Sequence, residues 1–132
     1  PLNFVWMNLY NDVGHIGDTA YFLCNEEQTD VYRLNLLHAS TEIASTHYEH
    51  TGGTMVAYDG KLYLAGAYSW NDSQFMSGRE KLEIYDPSNN TWREGADLPD
   101  YRCFMGAFVL DEQIYFLGGQ RTQGYPQNNV WK

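Results

Sequence analysis

The sequence predicts an all-β fold assembled from repeated four-stranded antiparallel units, and three observations carry that expectation. First, Asp59-Gly60-Lys61-Leu62-Tyr63-Leu64-Ala65-Gly66-Ala67 recurs as Asp111-Glu112-Gln113-Ile114-Tyr115-Phe116-Leu117-Gly118-Gly119, and more faintly as Gly17-Asp18-Thr19-Ala20-Tyr21-Phe22-Leu23-Cys24-Asn25. Second, the anchor tyrosines Tyr21, Tyr63 and Tyr115 stand 42 and 52 residues apart, bracketing the roughly 40 to 50 residues at which four-stranded sheets repeat around an axis. Third, no segment holds a 3.6-residue apolar period; Leu34 to Ser45 comes nearest and lacks a cap at either end.

Each copy is written in the same order. A run of small and apolar residues, Thr54 to Tyr58 or Gly106 to Leu110, leads through Asp-Gly or its equivalent into a β-rich run that ends in glycine, which is the pattern of a hairpin. The runs are apolar on consecutive residues, so strands covered on both faces are expected, as where sheets pack face to face. Lys81-Leu82-Glu83-Ile84-Tyr85 reads as a third strand, Asp86-Pro87-Ser88-Asn89-Asn90 as a turn, and Thr91-Trp92 as the start of a fourth strand. Leu98-Pro99 then leads through Arg102 to the next copy. The expected division is an outer strand of a preceding blade over residues 1–10, a degenerate blade over 11–48, a blade over 49–100 and an incomplete blade over 101–132.

The formal charge of −9 comes from scattered acids. It reads as a solvated surface and argues against nucleic acid, which needs clustered Lys and Arg; a basic partner, or none, suits it better. No stretch approaches the roughly 20 apolar residues that span a bilayer, so no membrane partner is expected. Cys24 and Cys103 are too few for a disulfide framework and read as reduced, buried thiols. The chain starts at Pro1 without the pattern of a signal peptide, and the expectation is a piece of a longer chain, with self-assembly into a closed ring as the alternative.

Leu82-Glu83-Ile84-Tyr85-Asp86-Pro87, Trp92, Leu98-Pro99, Arg102 and Ile114-Tyr115-Phe116-Leu117-Gly118-Gly119 together resemble the kelch repeat. The resemblance is strongest from Gly53 to Gly119 and implies a kelch-type β-propeller fragment of about two and a half blades. It implies that the glycine pair ends the second strand, that the tyrosine and tryptophan pack between blades, and that Arg102 has a positional role. The sequence departs from the pattern at Gly66-Ala67 and Cys24-Asn25, where a glycine pair is expected, and at Arg33-Leu34-Asn35; Thr41 stands where a tryptophan is expected, with Ile43 as an apolar substitute.

The resemblance also implies a protein or peptide partner gripped at one end of the ring, by loops between second and third strands and by the links between blades. Candidate partner-binding residues are Tyr68, Trp70 and Arg79 in the loop from Tyr68 to Glu80, Arg121 and Tyr125 in the stretch from Gln120 to Asn128, and Phe104. Aromatics and Arg are enriched at binding hot spots; the competing reading is that Trp70, Phe75 and Met76 fold back as local packing. Phe104, with Gly52 and Tyr10 by alignment, falls two residues past the inter-blade arginine position, where some relatives carry charge for an acidic peptide; none of the three is charged. No catalytic residue, no cofactor and no metal site is expected: His47 and His50 have no Cys or carboxylate cluster nearby in sequence, and His15, His38, His47 and His50 read as solvated or packed in loops. Gly52-Gly53 and Gly60-Lys61 lack the spacing of a phosphate loop.

Two functions follow from the resemblance. The first is a protein-interaction module, such as the substrate-recognition part of a ubiquitin-ligase adaptor or a scaffold. The alternative is part of a carbohydrate-acting propeller enzyme, of the sialic acid mutarotase or galactose oxidase kind. The cytoplasm is the expected location, with secretion as the alternative because Asn71-Asp72-Ser73 and Asn89-Asn90-Thr91 are sequons.

Overall fold

The structure, a computed structural model, describes residues 13–23, 31–35, 41–68, 77–121 and 126–132. The expected outer strand within residues 1–10 lies outside them, as do Trp70, Tyr125, Cys24 and the sequon at Asn71. The described residues form eleven strands: β1 (Val13–Ile16), β2 (Thr19–Leu23), β3 (Val31–Asn35), β4 (Thr41–Glu42), β5 (Thr54–Tyr58), β6 (Lys61–Ala65), β7 (Leu82–Asp86), β8 (Thr91–Glu94), β9 (Gly106–Leu110), β10 (Gln113–Leu117) and β11 (Val130–Trp131). They make three antiparallel sheets in the orders β1-β2-β3-β4, β5-β6-β7-β8 and β9-β10-β11. In the two four-stranded sheets each strand neighbours the next in sequence, the usual arrangement for consecutive strands whether the connection is a tight turn or a longer loop. Strand β1 packs against β5, and β5 against β9, so the first strands of the sheets line one side of a fan. Where a helix was the nearest alternative, from Leu34 to Ser45, the described residues carry the strands β3 and β4.

Turn chemistry sets the registers. At Asp59-Gly60 both residues have positive φ, 47° and 69°, so the chain reverses in two residues with a twist matching the strands and pairs Tyr58 with Lys61. Asp111-Glu112 makes the same turn at 48° and 59°, with a glutamate where glycine is least strained. After β7, the Asp86 carboxylate accepts from the Ser88 amide at 2.9 Å and from its hydroxyl at 2.6 Å, fixing the turn into β8.

The core lies between the first two sheets. Tyr21, Val31, Ile43, Met55, Leu62, Leu64, Tyr85 and Trp92 form one buried cluster drawn from both. Ile43 is buried in the degenerate sheet, with its amide bonded to Val31 O at 2.9 Å. Trp92 packs its ring on Tyr85 with centroids 5.1 Å apart, and its indole N–H donates to Ala44 O at 2.7 Å. Asn90 Oδ1 completes this seam by accepting from the Ala44 amide at 3.0 Å and from the Tyr85 hydroxyl at 2.9 Å. A second cluster, Ala65, Leu98, Met105 and Phe116, joins the second sheet to the third. Coverage on both faces holds for β6 and β7 but fails for β9, where Phe108, Val109 and Leu110 are all exposed. The reason is geometric: β9 lies in the last sheet of the fan, and no described strand of this chain packs on its far side.

Candidate interaction face

Antiparallel order brings five chain segments to one rim. The end of β6, the start of β7 and the start of β5 coincide at one edge of the second sheet, and the start of β9 and the end of β10 do so in the third. The rim is knitted by backbone bonds: Tyr68 N–H to Thr51 O at 2.6 Å, Phe104 N–H to Gly52 O at 2.8 Å, Arg102 N–H to Arg79 O at 3.1 Å, and a reciprocal pair between Cys103 and Gln120 at 3.1 and 2.9 Å. These satisfy link groups that a strand ladder would otherwise serve, so the links are tied into one ledge.

On that ledge the structure collects four of the six sequence-predicted residues. Phe104 adopts φ of 52°, a left-handed conformation that costs a non-glycine residue about 1 kcal/mol. Its ring covers Gly52, lies 5.5 Å from the Tyr68 ring, and remains 37% exposed. Arg79 and Arg121 approach the same ring, Tyr101, with their guanidinium carbons 5.0 and 4.5 Å from its centroid. Arg121 also donates to Asp100 Oδ1 at 3.0 Å, and Arg79 Nε lies 3.4 Å from Glu80. The other two, Trp70 and Tyr125, are outside the described residues. Tyr101 was not among the predicted residues; the signal available was its place in the link, immediately before the inter-blade arginine.

Behind the ledge, Arg102 is buried. It donates to Gly118 O at 3.2 Å, lies over the Trp131 ring at 4.5 Å, and approaches Asp100 at 3.6 Å. Burial pulls its guanidinium below the usual value, and the Asp100 carboxylate opposes that. Cys103, beside it, is a buried free thiol donating to Gln120 O at 3.3 Å; burial pushes it up to about 12, which removes it as a nucleophile at neutral pH.

Both His47 and His50 lie in the link before β5, one half-exposed and one buried. His50 is fully buried, and a carboxylate distant in sequence does reach it: Glu83 of β7 lies 3.0 Å from His50 Nε2 and 2.6 Å from His47 Nδ1. Glu83 also accepts from the His47 and Tyr48 amides at 2.9 and 3.1 Å. Burial alone would raise its carboxyl, but the hydrogen bonds from His50 and His47 outweigh it and hold Glu83 below the ordinary range. These groups saturate one another, and among the described residues no three His, Cys, Asp or Glu are placed to hold a metal.

Fanned antiparallel sheets with their first strands along one side define a segment of a β-propeller. The fold agrees with a solved structure described as "Structure of YjhT", at a TM-score of 0.71 and 22% identity, covering 83% of this chain and 34% of that one. The Kelch motif profile matches residues 50–99. Kelch-like protein 15 of Homo sapiens is 34% identical over 59% of this chain and 15% of its own, and kelch-like protein 23 of Mus musculus is 31% identical over 90% and 22%. Spermatocyte protein spe-26 of Caenorhabditis elegans is 34% identical over 53% of this chain and 12% of its own. The chain belongs to the kelch-repeat family. It spans between 12% and 22% of these relatives' length.

Proposed function

We propose that this chain binds a protein segment at the ledge formed by Tyr68, Arg79, Tyr101, Phe104 and Arg121, and does so without catalysis. The observation that carries this is Phe104. A large apolar ring on a strained backbone, left 37% exposed beside another aromatic, is costly for folding alone and suits a binding contact, since strained residues cluster at ligand clamps. Arg79 and Arg121, whose guanidinium carbons lie 5.0 and 4.5 Å from the Tyr101 centroid, add cationic hydrogen-bond donors beside it. Trp70 and Tyr125 belong to the proposal by sequence position, in the loops that leave this rim.

The finer role we assign is recognition of a client, either as the substrate-reading part of a ubiquitin-ligase adaptor or on a scaffold. The test uses the full-length protein. Phe104→Gly removes the ring while relieving the backbone, and Arg121→Ala removes one cation. Each is expected to abolish capture of the wild-type partner set while shifting the melting temperature by no more than about 2 °C. Partner capture unchanged in both variants would overturn the ledge as the binding site. Failure of the captured partner to gain ubiquitin when the intact protein is supplied would leave the scaffold role.

A further inference from the structure

We infer that Glu83 is a positioning residue for partner capture: by fixing the link from His47 to Gly53 it sets where Gly52 and Tyr68 stand against Phe104 on the ledge. The inference rests on the proposed function and adds what keeps that site in shape. Glu83 is fully buried in β7, where a partner does not reach it. Whatever it contributes to binding therefore passes through the link.

One end of the link is anchored and the other end carries the ledge. At the anchored end, donors converge on the two carboxylate oxygens: the His47 amide and Nδ1 on Oε1 at 2.9 and 2.6 Å, the Tyr48 amide and His50 Nε2 on Oε2 at 3.1 and 3.0 Å. His50 Nδ1–H in turn donates to Gly66 O at 2.8 Å, two residues before Tyr68, and His50 O accepts from the Gly53 amide at 2.7 Å. At the other end, Thr51 O accepts from the Tyr68 amide at 2.6 Å and Gly52 O from the Phe104 amide at 2.8 Å. Gly52, at φ of 67°, is also the floor of the Phe104 ring, which leaves no room there for a Cβ. Phe104 is tied on its far side by the reciprocal bonds between Cys103 and Gln120. A shift of the link would therefore move Gly52 and Tyr68 against a held Phe104, opening the ring pair that now stands 5.5 Å apart. Glutamine in place of Glu83 would cause that shift, because it offers one oxygen and turns an NH2 group toward donors, and buried donors left unpaired are costly.

The test compares Glu83→Gln with Trp92→Phe, which weakens the core away from this link, both in the full-length protein and well below their melting temperatures. The probe is the protein eluate recovered on immobilised wild type, applied again in equal amount to each variant and counted per folded molecule. Glu83→Gln is expected to capture about tenfold less of it, and Trp92→Phe as much as wild type. Two signals report the geometry directly. The α-protons of Gly52 lie under the Phe104 ring and should lose their ring-current shift in Glu83→Gln, and the Tyr68 amide should exchange about tenfold faster relative to the amides of β6; Trp92→Phe should move neither. If Glu83→Gln does not fold, Glu83→Asp keeps the charge and both oxygens on a shorter stem, and about a threefold loss with the same Gly52 displacement is expected. Capture lost with the Gly52 signal in place, Gly52 displaced without loss of capture, no change in either, or an equal loss in Trp92→Phe each overturns the inference. If Phe104→Gly abolishes capture while Glu83→Gln retains it, only the positioning role fails; if neither variant loses capture, the ledge fails with it.

Discussion

The links entering β5 and β9 solve one problem with different residues. In each, the glycine after the second strand has positive φ, 78° at Gly66 and 64° at Gly118, and its amide bonds across to the carbonyl before the third strand. Its own carbonyl, turned inward, needs a donor from the link. At Gly66 that donor is His50 Nδ1–H at 2.8 Å; at Gly118 it is Arg102 at 3.2 Å. The residue behind the donor changes with it: Glu83, paired across from Leu64, backs His50, while Trp131, paired across from Phe116, backs Arg102. What is held constant is the backbone acceptor. The side chains are free to vary as donor and backing group together.

Breaking the Glu83 side of this comparison should have the largest effect. Glu83→Ala strands the His47 and Tyr48 amides and the inner nitrogen of His50, and is expected to cost about 3 to 5 kcal/mol in urea unfolding. Acid should do the same gradually. The folded Glu83 carboxyl lies below its usual 4.5, so its contribution is fully present above that pH and is lost as pH falls through the lower folded value. A plot of stability against pH should therefore slope downward below about 4.5, and Glu83→Gln should flatten that part of it.

Exchanging the two solutions would sharpen the comparison. Arg102→His is expected to cost about 2 kcal/mol alone and about 1 kcal/mol less when Trp131→Glu accompanies it, as read from a double-mutant cycle. Trp92→Phe keeps most of the ring packing but removes the bond to Ala44 O, for about 1 kcal/mol in thermal unfolding. The smallest effect is expected at the hairpins. Glu112→Gly gives the third sheet the turn already present at Asp59-Gly60, and should raise stability by a few tenths of a kcal/mol.

The repeat was legible because its signals are local. Tyrosine before a glycine, Asp-Gly between apolar runs and Asp-Pro before a tryptophan each act within a few residues, and the kelch resemblance pointed to Ile43 as the substitute for the missing tryptophan. Arg79, Arg121, Tyr68 and Phe104 were singled out by what the kelch resemblance implies about the loops after the second strands and the inter-blade links, and by their residue types. The His50 to Glu83 pair was hidden, since 33 residues separate its partners and they meet only through the successive β5 to β6 and β6 to β7 registers. The 52-residue offset between Tyr63 and Tyr115 was the available clue, because it sets His50 on Arg102. Tyr101 went unnoticed for a related reason: what matters is that two cations from different sheets reach one ring.

The seam at Ala44 has a consequence for how the chain opens. Both backbone groups of this residue, which belongs to no strand, are taken by the second sheet, through Asn90 Oδ1 and the Trp92 indole. Its amide should exchange with deuterium as slowly as those of β6, so that the first two sheets release their protons together as one cooperative unit. The third sheet, with β9 bare on one side, should exchange earlier and independently. Fluctuation would then be concentrated in the half of the ledge that carries Phe104 and Arg121, and a bound segment would be read there as slowed exchange.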